Sequence, residues 1–191
     1  YDPLMTTYNV RVGRSNKPEG PFYDFFGENL SDTTNNYPVI LTPYKFNNHP
    51  GWAGTGHCGV LSNDDGRYFM VHQGRLSPGN HLMVLHVREI FFNPDGWPVV
   101  SPQRYAGDVD MLATAKDIEG EWEFIRIKEP IFDRQLEAGQ ILWGEGSLKE
   151  EEWNFSFTLN MNPDKTTSNN GTWNFDEKSQ MMSLSLGEET F

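Results

Sequence analysis

Short runs of alternating apolar and polar residues recur along the chain, and turn residues separate them. The period of two predicts β-strands over residues 8–15, 57–62, 67–73, 81–92 and 97–100. The strands 57–62 and 67–73 flank an Asn-Asp-Asp-Gly turn, and the strands 81–92 and 97–100 flank an Asn-Pro-Asp-Gly turn. Because Asp-Gly between apolar runs is typical of a β-hairpin, both pairs are predicted to be antiparallel hairpins.

Residues 24–50 break this alternation and are polar and irregular, apart from the apolar run Val39-Ile40-Leu41. The pattern predicts a long connecting loop, and loops of this length in compact domains are often functional. The segment also contains or borders several aromatic side chains. These aromatic residues either line a binding groove or pack beneath the loop, and the sequence leaves both possibilities open.

From about residue 108 the chain becomes rich in Glu, Thr, Ser, Asn and Trp. Strands are predicted over residues 121–128, 141–148, 152–160, 171–175 and 180–186, with turn residues between them. Evenly spaced short strands are typical of an antiparallel barrel or sandwich. We therefore divide the chain into residues 1–107 and a separate β module, residues 108–191. No closing pattern follows residue 186, so an incomplete module is expected.

Composition limits the classes of partner. The chain has 191 residues, of which 15 are basic and 27 acidic, giving a net charge of −12. A nucleic-acid or anionic-membrane partner needs a basic face, so neither is expected. The balance fits a protein that handles a neutral polymer such as a polysaccharide. The single cysteine cannot form an internal disulfide, and no apolar run reaches the length of a transmembrane helix.

The strongest candidate for chemistry is the stretch 51–60, in which glycines at 51, 54, 56 and 59 surround His57. Glycine permits backbone conformations that other residues resist, so a tight turn delivers this histidine to the head of a strand. On these residues alone His57 is either a hydrogen-bonded core histidine or a site residue. The paired carboxylates Asp64 and Asp65 lie at a turn tip and are expected to be solvated. His81 and His86 fall on opposite faces of their strand and are interpreted as structural.

Five segments that occur in a fixed order carry a resemblance to a known family. They are Tyr-Asn-Val-Arg-Val-Gly-Arg-Ser at 8–15, Gly-Pro-Phe-Tyr-Asp at 20–24, Gly-Thr-Gly-His at 54–57, Val-His-Gln-Gly-Arg at 71–75, and residues 95–107, which begin Asp-Gly-Trp-Pro. Together they resemble the family 43 glycoside hydrolases, and within them the arabinan-degrading branch, the 1,5-α-L-arabinanases. The resemblance covers about residues 6–107.

The resemblance implies an all-β fold, in which residues 1–107 are the last blades of a five-bladed β-propeller and the small β-barrel or sandwich module follows. His57 matches a histidine that reaches the propeller axis and helps to hold a metal ion, calcium or another divalent cation. Cys58 departs from the asparagine usual after it. His72 and Arg75 are expected to contact substrate or the metal's water shell, with a strand-end ion pair as the alternative for them.

The same family uses three catalytic acids: an Asp base, an Asp that tunes the acid, and a Glu acid. They lie upstream of the motif that residues 8–15 match, so no catalytic residue is expected on this chain. The resemblance therefore implies the C-terminal part of a secreted or periplasmic bacterial enzyme that cleaves α-1,5-linked L-arabinan with inversion. Its partners would be arabinan and the N-terminal part of the same enzyme. The alternatives are a non-catalytic carbohydrate-binding β protein and a sibling arabinofuranosidase or xylosidase.

Overall fold

The fold was analysed in a computed structural model that describes residues 8–32, 38–76, 81–107, 111–127 and 154–191. These residues contain twelve β-strands and one helix of four residues. They separate into two compact units. The first comprises the described residues of Tyr1–Ala106 and Arg126–Phe155, and the second those of Gly107–Ile125 and Ser156–Phe191. The expected all-β class is confirmed. No helix in the described ranges is long and apolar enough to span a membrane.

The first unit is built around a meander of four antiparallel strands. The unit contains β1 (Val10–Arg11), β2 (Val39–Leu41), β3 (Tyr44–Lys45), β4 (Trp52–Ser62), β5 (Tyr68–Leu76), β6 (Val84–Phe92) and β7 (Pro98–Val100). Strands β4, β5, β6 and β7 pair with one another in chain order. Strand β3 extends this sheet beside the start of β4, and β1 pairs with β2 separately.

Both predicted hairpin turns are confirmed, and they use the same chemistry. The Asn63 side chain accepts a hydrogen bond from the Arg67 amide at 2.9 Å, and Asn93 accepts one from the Trp97 amide at 2.8 Å. The glycine that ends each turn has a positive φ, 79° at Gly66 and 77° at Gly96. This left-handed conformation costs glycine little, which explains the residue at that place in both turns.

The predicted loop over residues 24–50 is only partly irregular. Its apolar run forms β2, whose Leu41 packs with Met70, Ile90 and Val100 in the core of the first unit. The run forms a strand because it pairs with β1 and is buried in this core. The polar residues around it hid this strand from the sequence pattern, which predicted a loop. The predicted strand 8–15 is in turn reduced to Val10–Arg11, the length that pairs with β2.

The second unit contains α1 (Ala115–Ile118), β8 (Gly120–Ile125), β9 (Asn154–Met161) from Ser156 onward, β10 (Thr172–Asp176), β11 (Met181–Leu186) and β12 (Glu189–Thr190). Strand β8 pairs with β9, and β10, β11 and β12 form a meander. Its core is Leu159, Met161, Trp173 and Leu184. The sequence pattern missed β12, which turns back onto β11 at Gly187. The strand predicted over residues 141–148 lies outside the described residues.

Candidate functional site

Strand β4 carries two β-bulges, and the second is formed by His57. In the register with β5, Ala53 pairs with Arg75, Gly56 with Gln73, and Gly59 with Val71. Two residues of β4 therefore stand against one residue of β5 in each interval. Gly54 and Thr55 stand against Gly74, whereas His57 and Cys58 stand against His72. Bulges of this kind re-aim side chains and are frequent beside functional sites.

The first residue of each bulge has a left-handed backbone, with φ 65° at Gly54 and 53° at His57. Glycine adopts this conformation freely, and histidine is among the few other residues enriched there. Gly56, between the two bulges, leaves room for Tyr8, because a Cβ at Gly56 would lie 3.0 Å from its ring. The glycine spacing of this stretch thus reflects backbone conformation and close packing. The prediction of a tight turn that places His57 at the head of a strand is wrong, because β4 already begins at Trp52 and His57 lies in a bulge in its middle.

The structure places His57 and its neighbour Cys58 on the exposed part of β4. In the first unit His57 is therefore not a core histidine, which was the alternative left open by the sequence. The residues that the structure describes contain no group of three or more His, Cys, Asp or Glu side chains able to hold a metal ion. His57 alone supplies one nitrogen ligand, whereas calcium takes six to eight oxygen ligands.

Opposite the second bulge lies a buried network of two histidines and one arginine. His72 on β5 pairs in register with His86 on β6, and their rings stack with centroids 4.9 Å apart. Arg88 Nε donates to His72 Nε2 at 3.2 Å, and Arg88 Nη2 lies 3.1 Å from His86 Nδ1. Its Nη1 donates to the carbonyl oxygen of Pro102. All three side chains are 0–1% exposed.

These bonds assign the tautomers of both rings, because arginine only donates. His72 accepts at Nε2, so its proton is on Nδ1, which lies 2.7 Å from the Gln73 carbonyl oxygen. His86 accepts at Nδ1, so its proton is on Nε2. Burial, with the nearby Arg88 charge, lowers the pKa of His72 to about 4 and that of His86 to about 3. Both rings are therefore neutral at neutral pH.

Two aromatic side chains close the network. The Tyr44 hydroxyl donates to the Pro102 carbonyl oxygen at 2.7 Å, and Arg88 Cζ lies 5.2 Å from the centre of the Tyr44 ring. Burial raises the pKa of Tyr44 to about 12, so this hydroxyl keeps its proton. Trp52 packs edge-on against His86 at 4.4 Å. Among the described residues, Arg88 is thus held by neutral acceptors and an aromatic face, not by a carboxylate.

Gly74 makes room for the network, because a Cβ there would lie 2.8 Å from His86 Nε2. Two buried polar atoms flank this glycine, His86 Nε2 and the hydroxyl of Thr55, and neither has a hydrogen-bond partner within the described ranges. A neutral, buried and mostly satisfied network of this kind fixes strand positions. It does not offer an exposed group for proton transfer.

The structure separates the three residues predicted for the site. His57 is exposed, His72 belongs to the buried network, and Arg75 is buried three residues later on β5. Because side chains alternate along a strand, His72 and Arg75 point to opposite faces of β5. Sequence reasoning missed Tyr44 and Arg88 and interpreted His86 as structural. Only the register of β5 against β6, which no sequence signal provided, brings these residues together.

Comparison with known proteins supplies the family context. A family model described as the GH43 C-terminal lipocalin-like domain matches residues 102–191. The extracellular endo-α-(1→5)-L-arabinanase 2 of Bacillus subtilis is 31% identical over 137 residues, 62% of this chain and 29% of that protein. The extracellular endo-α-(1→5)-L-arabinanase of Thermotoga petrophila is 28% identical over 157 residues, 74% of this chain and 33% of that protein. The chain thus spans about a third or less of these relatives.

Solved structures agree on the fold. The glycoside hydrolase family 43 YxiA protein from Bacillus licheniformis has a TM-score of 0.74 at 22% identity and covers 95% of this chain. The endo-1,5-α-L-arabinanase from Thermotoga petrophila has a TM-score of 0.72 at 21% identity, with the same coverage. This chain covers 41% and 40% of those two chains. At these identities the likeness describes the fold and leaves the chemistry to be argued from residues.

Proposed function

We propose that this chain belongs to glycoside hydrolase family 43 and forms part of an enzyme that cleaves α-1,5-linked L-arabinan. The observation that carries the proposal is the similarity to two proteins named as endo-arabinanases across 62% and 74% of this chain. Both relatives are also named extracellular, which supports a secreted or periplasmic protein. Arabinan or arabino-oligosaccharides are the proposed substrate.

We also propose that residues 1–107 are the last blades of a five-bladed propeller and that residues 108–191 are a barrel-like module. Propeller blades are four-stranded sheets, and β4 to β7 are four consecutive antiparallel strands of a sheet that β3 extends. Neighbouring blades cover both faces of a blade. Consecutive apolar residues, which point to opposite faces of a strand, are exposed in β4 at Val60 and Leu61 and in β6 at Phe91 and Phe92. The domain match over residues 102–191 supports the second module.

In the proposed enzyme the two catalytic carboxyl groups come from outside this chain. Inversion needs a general acid and a general base separated by roughly 6.5–9.5 Å, so that a water fits between the base and the sugar. No carboxylate here matches the family's three acids, and Asp64 and Asp65 are exposed at a turn. The proposed N-terminal part of the same enzyme would supply these acids and cover the exposed apolar side chains.

His57 is the proposed metal ligand of this chain. The support is its exposed imidazole on a bulge whose backbone re-aims the side chain. The described residues do not form a calcium site by themselves, because they offer this one nitrogen and no cluster of oxygen ligands. A calcium ion or another divalent cation would need its other ligands from water or from the rest of the enzyme.

His72 and Arg75 remain candidates for contact with the substrate or with the metal's water shell. Both side chains are buried, and both ring nitrogens of His72 are engaged. The role that this geometry supports most directly is positional. His72 and Arg88 hold β5 and β6 in place behind the bulge that presents His57.

The function is tested by incubating the full-length native protein with linear debranched arabinan. We expect new reducing ends and short arabino-oligosaccharides, and NMR of the first products should show the anomer opposite to that of the substrate linkage. Xylan and arabinose-substituted xylan serve as matched substrates for the sibling activities. Binding to arabinan without any cleavage would instead favour the non-catalytic carbohydrate-binding alternative.

A further inference from the structure

A second feature of the first unit lies apart from the bulge and the histidine network. It is a cavity of about 790 Å³ lined by residues of the segment 14–27 and by Trp97. None of its lining residues belongs to β4, β5 or β6. It therefore shares no wall with the proposed metal or substrate contacts at His57, His72 and Arg75.

The cationic wall of this cavity is Arg14. Its Nη1 donates to the carbonyl oxygen of Asp95 at 2.8 Å, and its Cζ lies 4.1 Å above the Trp97 ring. The backbone of Arg14 also exchanges two hydrogen bonds with Tyr23, at 2.9 and 3.0 Å. The guanidinium is thus held in place from both ends, and its remaining N–H groups form no hydrogen bond to the described residues.

The floor of the cavity includes Asp24, which is 2% exposed. Its Oδ1 accepts hydrogen bonds from the amides of Phe26 and Glu28, each at 2.9 Å. Its Oδ2 has no hydrogen-bond partner within the described ranges. This oxygen is buried away from the open part of the cavity, so the Asp24 carboxylate places negative charge beneath the floor and makes no direct contact with a ligand.

Aromatic side chains form the rest of the rim. Tyr23 is 43% and Phe25 is 40% exposed. Both aromatic rings therefore present apolar surface to solvent within an otherwise polar segment. Phe25 also packs edge-on against Trp97, with ring centroids 5.6 Å apart. An open cavity with apolar walls and a few fixed polar groups is the usual form of a small-ligand site.

We propose that this cavity binds a neutral sugar unit of the polysaccharide chain, at a place separate from the catalytic centre. The choice of arabinan as that polysaccharide rests on the proposed function. Arg14 and Lys17 disfavour a metal cation, and Asp24 disfavours an anion. A sugar offers hydroxyls that accept from Arg14, and a C–H face that packs on the exposed rings of Tyr23 and Phe25.

The test uses the full-length native protein and two variants of the cavity, Arg14→Gln and Tyr23→Ala. The probe is linear debranched arabinan in affinity electrophoresis gels, and arabinotriose hydrolysis is the second measurement. We expect each variant to bind arabinan about tenfold more weakly, the effect of losing one hydrogen bond to a charged group or one packed ring. Hydrolysis of arabinotriose should stay at the wild-type rate. The exposed position of Tyr23 keeps this variant informative even if Arg14→Gln folds poorly.

Lys178→Gln is the matched control, because it makes the same change of charge at an exposed turn outside the cavity. It should leave both measurements unchanged. If both cavity variants are retarded as strongly as the wild type and still hydrolyse arabinan, the cavity is not a sugar-binding site. The proposed function would be unaffected by that result. An equal loss on arabinan and on arabinotriose would also overturn the cavity proposal, because the cavity would then not be a separate site. A third outcome is that the wild-type protein does not hydrolyse arabinan but is retarded in the gel, and that the cavity variants lose this retardation. That result would support the cavity and refute the proposed function.

Discussion

Arg88 holds together more of the first unit than any other described side chain in the histidine network. Through one guanidinium it bonds His72 on β5, His86 on its own strand β6, and the Pro102 carbonyl oxygen after β7. It does so while fully buried in a chain whose net charge is −12. A planar fork with five donors can satisfy three differently placed acceptors at once, whereas a lysine cannot.

Replacing Arg88 should therefore destabilise the protein strongly. Arg88→Met fills similar volume but leaves two imidazole nitrogens without a donor and the Pro102 carbonyl oxygen with one donor fewer, so we expect a loss of about 3 kcal/mol. The measurement is the free energy of unfolding in urea. Arg104→Met removes an exposed arginine and should change that free energy by less than about 0.5 kcal/mol. Similar values for the two variants would contradict the network.

Stability should also fall as the pH is lowered through the histidine range. The folded-state pKa is about 4 for His72 and about 3 for His86, against 6.5 in the unfolded chain. The unfolded state therefore binds more protons below pH 6.5, and the free energy of unfolding decreases from there down to about pH 4 for His72 and about pH 3 for His86. The slope is at most about 1.4 kcal/mol per pH unit for each ring. Above pH 6.5 these two groups add no pH dependence.

His86→Asn separates this effect from that of the carboxylates. Asparagine keeps an acceptor near the position of Nδ1 and does not titrate. Its curve of unfolding free energy against pH should be shallower than that of the wild type between pH 4 and pH 6. Parallel curves would show that His86 is not a buried neutral histidine.

At the scale of one element, β4 combines a strained conformation with the proposed metal contact. Left-handed backbone costs a residue with a Cβ roughly 1–2 kcal/mol, and His57 adopts it in the second bulge. Backbone outliers of this kind cluster at functional sites. The conformation of the bulge and the function of the imidazole can be separated by the choice of substitution.

His57→Ala and His57→Gly should both lower metal occupancy and reduce turnover of the complete enzyme, by about 10²-fold for a positioned group in a water-excluded site. They should differ in stability, because glycine relieves the left-handed strain and alanine retains it. We expect His57→Gly to be more stable than His57→Ala by about 1 kcal/mol. Elemental analysis, activity per folded molecule and urea unfolding give the three readouts. Full metal content and near-normal turnover in both variants would show that His57 is not a metal ligand.

At the scale of the whole molecule, the first unit leaves apolar side chains uncovered on both faces of its meander. Val60, Leu61, Leu85, Phe91, Phe92 and Val99 are each about half exposed or more. Soluble monomeric proteins rarely leave so much apolar surface in contact with water. In the proposed enzyme the neighbouring blades bury these side chains.

The isolated 191-residue chain should therefore bind a hydrophobic dye and self-associate, or refold only to a collapsed state. Light scattering after size-exclusion chromatography and dye fluorescence measure this. The substitutions Leu61→Ser and Phe91→Ser should lower the dye fluorescence. Leu184→Ser, at a buried position of the second unit, should not lower it. A well-dispersed monomer that unfolds cooperatively would contradict the proposal that further blades are needed.

The sequence by itself determined the local elements of this protein. Alternation at period two predicted β5 to β7 and β9 to β11 close to their observed positions, because each strand has one face that must be buried. It predicted only the second half of β4, from residue 57, because the glycines before His57 read as a turn. The Asn and Gly residues of two turns specified both hairpins, because a side-chain acceptor and a positive φ are local requirements. The glycine spacing around His57 identified the strand that carries the candidate site.

Only the tertiary structure decided how these elements meet. The pairing of His72 with His86 depends on the register of β5 and β6, which neither strand's own alternation specifies. The two bulges of β4 appear only when β5 lies beside it, because a bulge is a difference in residue count between partners. Burial of Arg88 and exposure of His57 follow from how separate segments of the sequence pack together. Local sequence patterns carry no information about such contacts, and this is why the strands were predictable whereas the network behind the site was not.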